Sequence, residues 1–79
     1  MSIKVCVKNT ADGSTLAMEL EPQDAVEEIL LSAAEYWNKA AGAYVLRRGT
    51  RLLSRQQTAA EAGLTDGDVI EIVPDPEGG

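Results

Sequence analysis

The chain has 79 residues, 44% of them hydrophobic, a formal net charge of −6, no histidine and a single cysteine. One domain of this size buries only about 60% of its unfolded surface, so the core has to be small and efficiently patterned. Without histidine, and with Cys6 alone, Ser-His-Asp and Cys-His catalytic sets, imidazole or thiolate zinc sites and an internal disulfide framework are excluded.

The acidic balance argues against nucleic acid or an anionic membrane as the partner. There is no run of 18 apolar residues and no signal-peptide pattern, so the expected location is the cytoplasm. Glu27 and Glu28 are adjacent on an expected helix, where neighbouring side chains diverge rather than converge on a substrate. The expectation is a chain that is not an enzyme and holds no metal.

In chain order, Ile3, Val5 and Val7 alternate with Lys4, Cys6 and Lys8, the pattern of a half-buried strand. Asp12-Gly13 supplies the positive backbone angles a hairpin turn needs. Leu16, Met18 and Leu20 then alternate inward against Ala17, Glu19 and Glu21, so the first twenty residues form an antiparallel hairpin. Pro22 ends it and the period changes. Asp24 is the expected N-cap with Glu27 as its capping-box partner. Val26, Ile29, Leu30, Ala33 and Trp37 recur at helical spacing, Trp37 reads as a core plug, and Gly42 is the expected stop.

Residues 43–49 read as a short strand ended by Gly49, and residues 50–53 as a second one. Residues 58–64 make a helical turn closing on Gly63, residues 65–68 a further turn, and residues 69–73 a last strand. The order is β-β-α-β-β-β. One helix needs one sheet face to cover, so the predicted class is α+β, a mixed sheet wrapped over a single helix. The domain spans residues 1–73, with residues 74–79 as an extended acidic tail stiffened by Pro74 and Pro76.

All four arginines (Arg47, Arg48, Arg51 and Arg55) fall within nine residues. Such a cluster is either a solvated face or a docking patch for an acidic protein; no aromatics are interleaved to make it a nucleic-acid groove. Cys6 reads as a small surface or edge residue. Tyr44, Val45 and Leu46 are apolar in succession, so alternation cannot decide whether Leu46 faces the core or a partner.

The order of elements, the approach Met18-Glu19-Leu20-Glu21-Pro22-Gln23-Asp24, the segment from Leu46 to Leu52, Thr58, Leu64, the Asp66-Gly67-Asp68 turn and the terminal Gly78-Gly79 together resemble ubiquitin and its β-grasp relatives, prokaryotic ubiquitin-like proteins among them. The resemblance runs almost end to end. The Asp66-Gly67-Asp68 turn, the apolar strand and the proline-containing tail also resemble the small sulfur carriers of molybdopterin and thiamine synthesis, which share the fold and the Gly-Gly end.

The resemblance implies a protein modifier. The Gly79 carboxylate would be adenylated by a partner activating enzyme using ATP and magnesium, passed as a thioester to a thiol-bearing conjugating enzyme and joined to amines on target proteins. A deconjugating protease is a further implied partner; the chain itself binds no cofactor and is expected to be a monomer. Two residues without Cβ atoms let Gly78 and Gly79 thread a narrow channel. Pro74, Asp75, Pro76 and Glu77 would form the recognition tail. Their acids stand where ubiquitin carries arginines, which implies a dedicated, basic activating enzyme.

Leu46, Gly49 and Val73 correspond to the surface that ubiquitin's readers grip, and the neighbouring Arg48 and Arg51 would give such a patch a basic rim. Lys4, Lys8 and Lys39 are the possible acceptor lysines. Thr50 and Asp66 stand where ubiquitin's best-known chain-forming lysines lie, and neither carries an amine. The alternatives are a sulfur carrier with a C-terminal thiocarboxylate and a non-covalent ubiquitin-like adaptor.

Overall fold

The alternating pattern of the first twenty residues produces strands β1 (Ile3–Asn9) and β2 (Thr15–Leu20), paired antiparallel from Ile3 opposite Leu20 to Lys8 opposite Thr15. The turn between them uses positive φ at Gly13 alone, not at Asp12 as expected. Asp12 contributes through its carboxylate instead, accepting hydrogen bonds from the Ser14 hydroxyl at 2.7 Å and the Ser14 N–H at 2.9 Å. These bonds favour the ionised form and hold the Asp12 carboxyl below its ordinary 3.8.

This computed structural model describes residues 2–76. After β2 come helix α1 (Val26–Tyr36), a three-residue 3-10 turn (Ala41–Ala43), β3 (Tyr44–Arg48), β4 (Arg51–Leu52) and β5 (Asp68–Pro74). The five strands form one mixed sheet in the order β2-β1-β5-β3-β4, with β1 and β5 parallel and the other neighbours antiparallel. Val26, Ile29, Leu30, Ala33 and Ala34 of α1 are buried in one cluster with Val5, Val7, Leu20, Leu46, Ile70 and Ile72 from the sheet. The core is aliphatic. Trp37 packs at its margin, half-buried, and meets Tyr36 edge to face at 5.3 Å.

The helix begins one residue later than expected. Ala25 is the N-cap, and its N–H donates to the Glu28 carboxylate at 3.3 Å. Asp24 closes the preceding turn, its carboxylate accepting from the Glu21 N–H at 2.8 Å. The helix can start on alanine because its first amides find acceptors from elsewhere in the chain. The Val26 N–H donates to the Gln57 carbonyl at 2.8 Å and the Glu27 N–H to the Arg55 carbonyl at 3.2 Å. The helix also stops earlier than Gly42. Asn38 takes φ +56, with Asn38 N–H donating to Glu35 C=O and Lys39 N–H to Ala34 C=O, a Schellman ending made by asparagine.

Residues 58–63 form the expected single turn. Thr58 and Glu61 cap it reciprocally: the Glu61 N–H donates to the Thr58 hydroxyl, and the Thr58 N–H to the Glu61 carboxylate. The next turn is pinned to β1, because the Lys4 N–H donates to Asp66 Oδ1 and the Gly67 N–H donates to the Lys4 carbonyl, both at 2.8 Å. Gly67 needs its φ of +87 to make that approach.

Two outcomes follow. Leu46→Ala should cost about 2–5 kcal/mol in urea unfolding, because the side chain is 1% exposed in a packed core. The hairpin contribution of ionised Asp12 should be present above its unfolded pKa and lost as pH falls through the lowered folded value. Comparing the acid limb of unfolding in Ser14→Ala with that of the parent chain measures this.

Candidate partner-binding surface and terminal segment

Leu46 lies opposite Ile72 in the β3–β5 ladder, and both are buried. That register assigns the opposite face of the sheet to Val45 (opposite Val73), Arg47 (opposite Glu71) and Leu52 (opposite Arg47). The expectation that Leu46 belongs to a partner-binding patch is therefore corrected. Of the three consecutive apolar residues, the pairing with β5 turns Leu46 and Tyr44 toward the α1 side, Leu46 fully buried and Tyr44 half-buried at the core margin, and leaves Val45 on the other face.

The remaining patch residues do not form one surface. Val73 is on the outer face, as expected, but keeps only 9% exposure. Arg48 alternates to the same side as Leu46 and reaches the start of β5, where Nη1 donates to the Gly63 carbonyl at 2.9 Å and Nη2 lies 3.2 Å from Asp68. It acts as a tie between β3 and the segment before β5 rather than a free rim charge. Gly49 sits in the β3–β4 turn at φ +63, exposed, and Arg51 is exposed on β4.

The outer face is instead centred on Arg47 and Glu71. Arg47 Nε and Nη2 both donate to Glu71 Oε1, at 3.1 and 2.7 Å. Leu52, 48% exposed, lies on the β4 side of this pair, and half-buried Val45 is on the same face. Toward β1 the same face carries exposed Val69, opposite half-buried Cys6, and then Lys4 and Lys8. Sequence reasoning missed Val45 and Leu52 as surface residues and placed Arg47 only within the arginine cluster. The usable signal was the pairing of Leu46 with Ile72, which one strand's alternation does not contain.

Arg55, the remaining arginine, serves the fold. Its Nη2 donates to the carbonyls of Ala41 and Tyr44 at 3.1 and 2.7 Å, fixing the 3-10 turn and the start of β3.

Of the possible acceptor lysines, Lys4 and Lys8 are exposed on the outer face. Lys39 is half-buried, with Nζ 4.7 Å from the centre of the Tyr44 ring. The tail is joined to the sheet further than expected. Pro74 pairs with Tyr44, and the Asp75 N–H donates to the Ala43 carbonyl at 2.9 Å, so regular pairing extends past residue 73. Pro76 is exposed. Glu77, Gly78 and Gly79 lie outside the described residues. Among the described residues there is no group of three or more Cys, Asp or Glu side chains placed to hold a metal ion. No described helix is long and apolar enough to cross a membrane.

One helix packed on a mixed five-stranded sheet of this topology is the ubiquitin-like β-grasp fold. A solved structure of ubiquitin from Caldiarchaeum subterraneum is similar to this chain at a TM-score of 0.86 and 21% identity, covering all of both chains. A de novo design based on ubiquitin is similar at a TM-score of 0.84 and 21% identity, over 95% of this chain and 90% of the design. No protein-family model and no curated protein matches the sequence.

The Arg47–Glu71 pair is more than a third and a quarter exposed, respectively, so it should contribute only about 0.2–1 kcal/mol. A double-mutant cycle with Arg47→Ala and Glu71→Ala, read by urea unfolding at low and high salt, is expected to give a coupling in that range that shrinks with salt.

Proposed function

We propose that the chain is a ubiquitin-like modifier that acts through the carboxylate of Gly79. The observation that carries this reading is a ubiquitin-like fold whose last strand, β5, is held between β1 and β3, in a sequence that reaches Gly78-Gly79 three residues after that strand ends. A central strand paired through Asp75 anchors the start of the tail, while the two glycines remove side-chain bulk from the end.

The free carboxylate is a poor acylating agent. In the proposed sequence a separate activating enzyme transfers AMP from ATP to Gly79, with magnesium and release of pyrophosphate. An enzyme thiolate then displaces AMP to give a thioester, and a target amine displaces the thiol to give an amide. The chain supplies the acyl group and the recognition surfaces, and no catalytic residue of its own. Pro74, Asp75, Pro76 and Glu77 present an acidic approach that suits a basic channel in the activating enzyme. Leu52 and the Arg47–Glu71 pair on the outer face, with Gly49 in the adjoining turn, form the surface at the β3–β4 end for a reader or conjugating enzyme.

The test is expression of a tagged chain in its native host, with mass spectrometry of the terminus and of adducts. Gly-Gly remnants on target lysines, abolished by deletion of Gly78 and Gly79 in a chain whose melting is unchanged, are the expected result. Replacement of a terminal oxygen by sulfur, without remnants, would move the assignment to the sulfur carrier. A cellular function unaffected by the deletion would leave the non-covalent adaptor.

A further inference from the structure

Because β1 and β5 run parallel, the segment before β5 meets the start of β1 at the end of the sheet away from Pro74 and the tail. β5 has seven residues, which puts about 20 Å of strand between the two ends. At the far end lies a hollow of about 430 Å³. Half-buried Ile3 and Pro22 and buried Leu64 give it an apolar floor, with Ala60 beside them. Thr65 and Asp66, both exposed, stand at its rim.

The rim is held in place by the backbone it serves. Asp66 Oδ1 accepts from the Lys4 N–H at 2.8 Å, and the Thr65 N–H donates to Asp68 Oδ2 at 2.8 Å. One such bond leaves a carboxylate most of its acceptor capacity. Among the described residues Asp66 is the one charged group lining the hollow. The adjoining positions add Glu21 before Pro22 and Glu61 after Ala60, whereas Lys4 lies on the outer face. The potential at the mouth is therefore negative.

An apolar floor beneath a carboxylate is the complement of a long basic side chain. Its methylene stem covers apolar surface while its charged head reaches a polar group. Arginine suits the site better than lysine, because a guanidinium gives two parallel bonds to one carboxylate. We infer that the hollow receives an arginine side chain presented by a partner protein, with the stem over Ile3, Pro22 and Leu64 and the guanidinium on Asp66. An arginine seated in a pocket is the kind of residue that anchors an interface. A partner held at this end of β5 leaves the other end, which leads to the tail, uncovered. The inference is thus independent of the function proposed for Gly79.

The probe is Nα-acetyl-arginine methylamide, titrated into the isotope-labelled full chain and followed by amide NMR. Its uncharged isostere, Nα-acetyl-citrulline methylamide, is the comparison. Saturable shifts on Ile3, Ala60, Thr65 and Asp66 are expected, with arginine binding about two- to fivefold more tightly than citrulline. Asp66→Asn keeps an acceptor for the Lys4 N–H and should erase that difference. Ala60→Leu, at an exposed position, should fill the hollow and weaken both probes. Equal binding of the two probes to the parent chain, or arginine shifts spread over Glu19, Glu28 and Glu35 instead, would overturn the site. Concentration-dependent shifts of the same amides without probe would overturn the occupant, which would then be the exposed Arg51 of a second copy. Nuclear Overhauser contacts from Met1 to Leu64 that arginine does not displace would overturn it as well.

Discussion

The constraint on which the rest of the molecule depends is the satisfaction of the first amides of α1. A helix leaves its leading N–H groups without intrahelical acceptors, and Ala25 has no side chain to offer them. The carbonyls of Gln57 and Arg55 accept from Val26 and Glu27, Ala25 forms a bridge with Thr58, and Asp24 and Pro22 accept from Ala59 and Ala60. These contacts lock the β2–α1 connection to a segment roughly thirty residues away. Arg55 extends the lock: its carbonyl serves the helix while its guanidinium holds the start of β3. The irregular chain between β4 and β5 is therefore a structural element, and its backbone polar groups are used to close the fold.

That closure sets which surfaces of the fold are exposed. With α1 covering one face of the sheet, the outer face and the two edges stay exposed, and α1 itself exposes Leu31 and Tyr36. The central position of β5 gives the tail a fixed point of departure, and the pairing of Asp75 with Ala43 carries order a little beyond the last core residue. Charge is divided across the sheet, with arginines gathered at the β3–β4 end and carboxylates along β2 and the start of α1. The net charge of −6 therefore conceals a local cluster of arginines, two of which are paired with Glu71 and Asp68.

Much of the architecture was legible because it is local. The first hairpin, the α1 stripe and the turn closing on Gly63 each show a period or a turn residue within a dozen positions. The helix boundaries were misread, and both misreadings have one cause. Asp24 is a good cap by type, but its carboxylate is taken by Glu21. Gly42 is a good stop by type, but Asn38 ends the helix through backbone bonds that side-chain preference only weakly favours. The candidate site was less legible than the fold. Arg48 and Arg51 look equivalent in sequence, yet Arg48 is spent on Gly63 and Asp68 while Arg51 is exposed.

By itself the sequence determined the class of fold, the aliphatic character of the core, the absence of histidine chemistry and the acidic Gly-Gly segment, because these depend on composition and short-range period. Only the tertiary structure decided which of Tyr44, Val45 and Leu46 face α1, which arginines are structural and which strands form the edges of the sheet. Those outcomes depend on strand register and on the β2-β1-β5-β3-β4 order, and register is a relation between residues distant in the chain. Leu46 shows the difference: its neighbours leave either face open, and Ile72, twenty-six residues away, settles the choice.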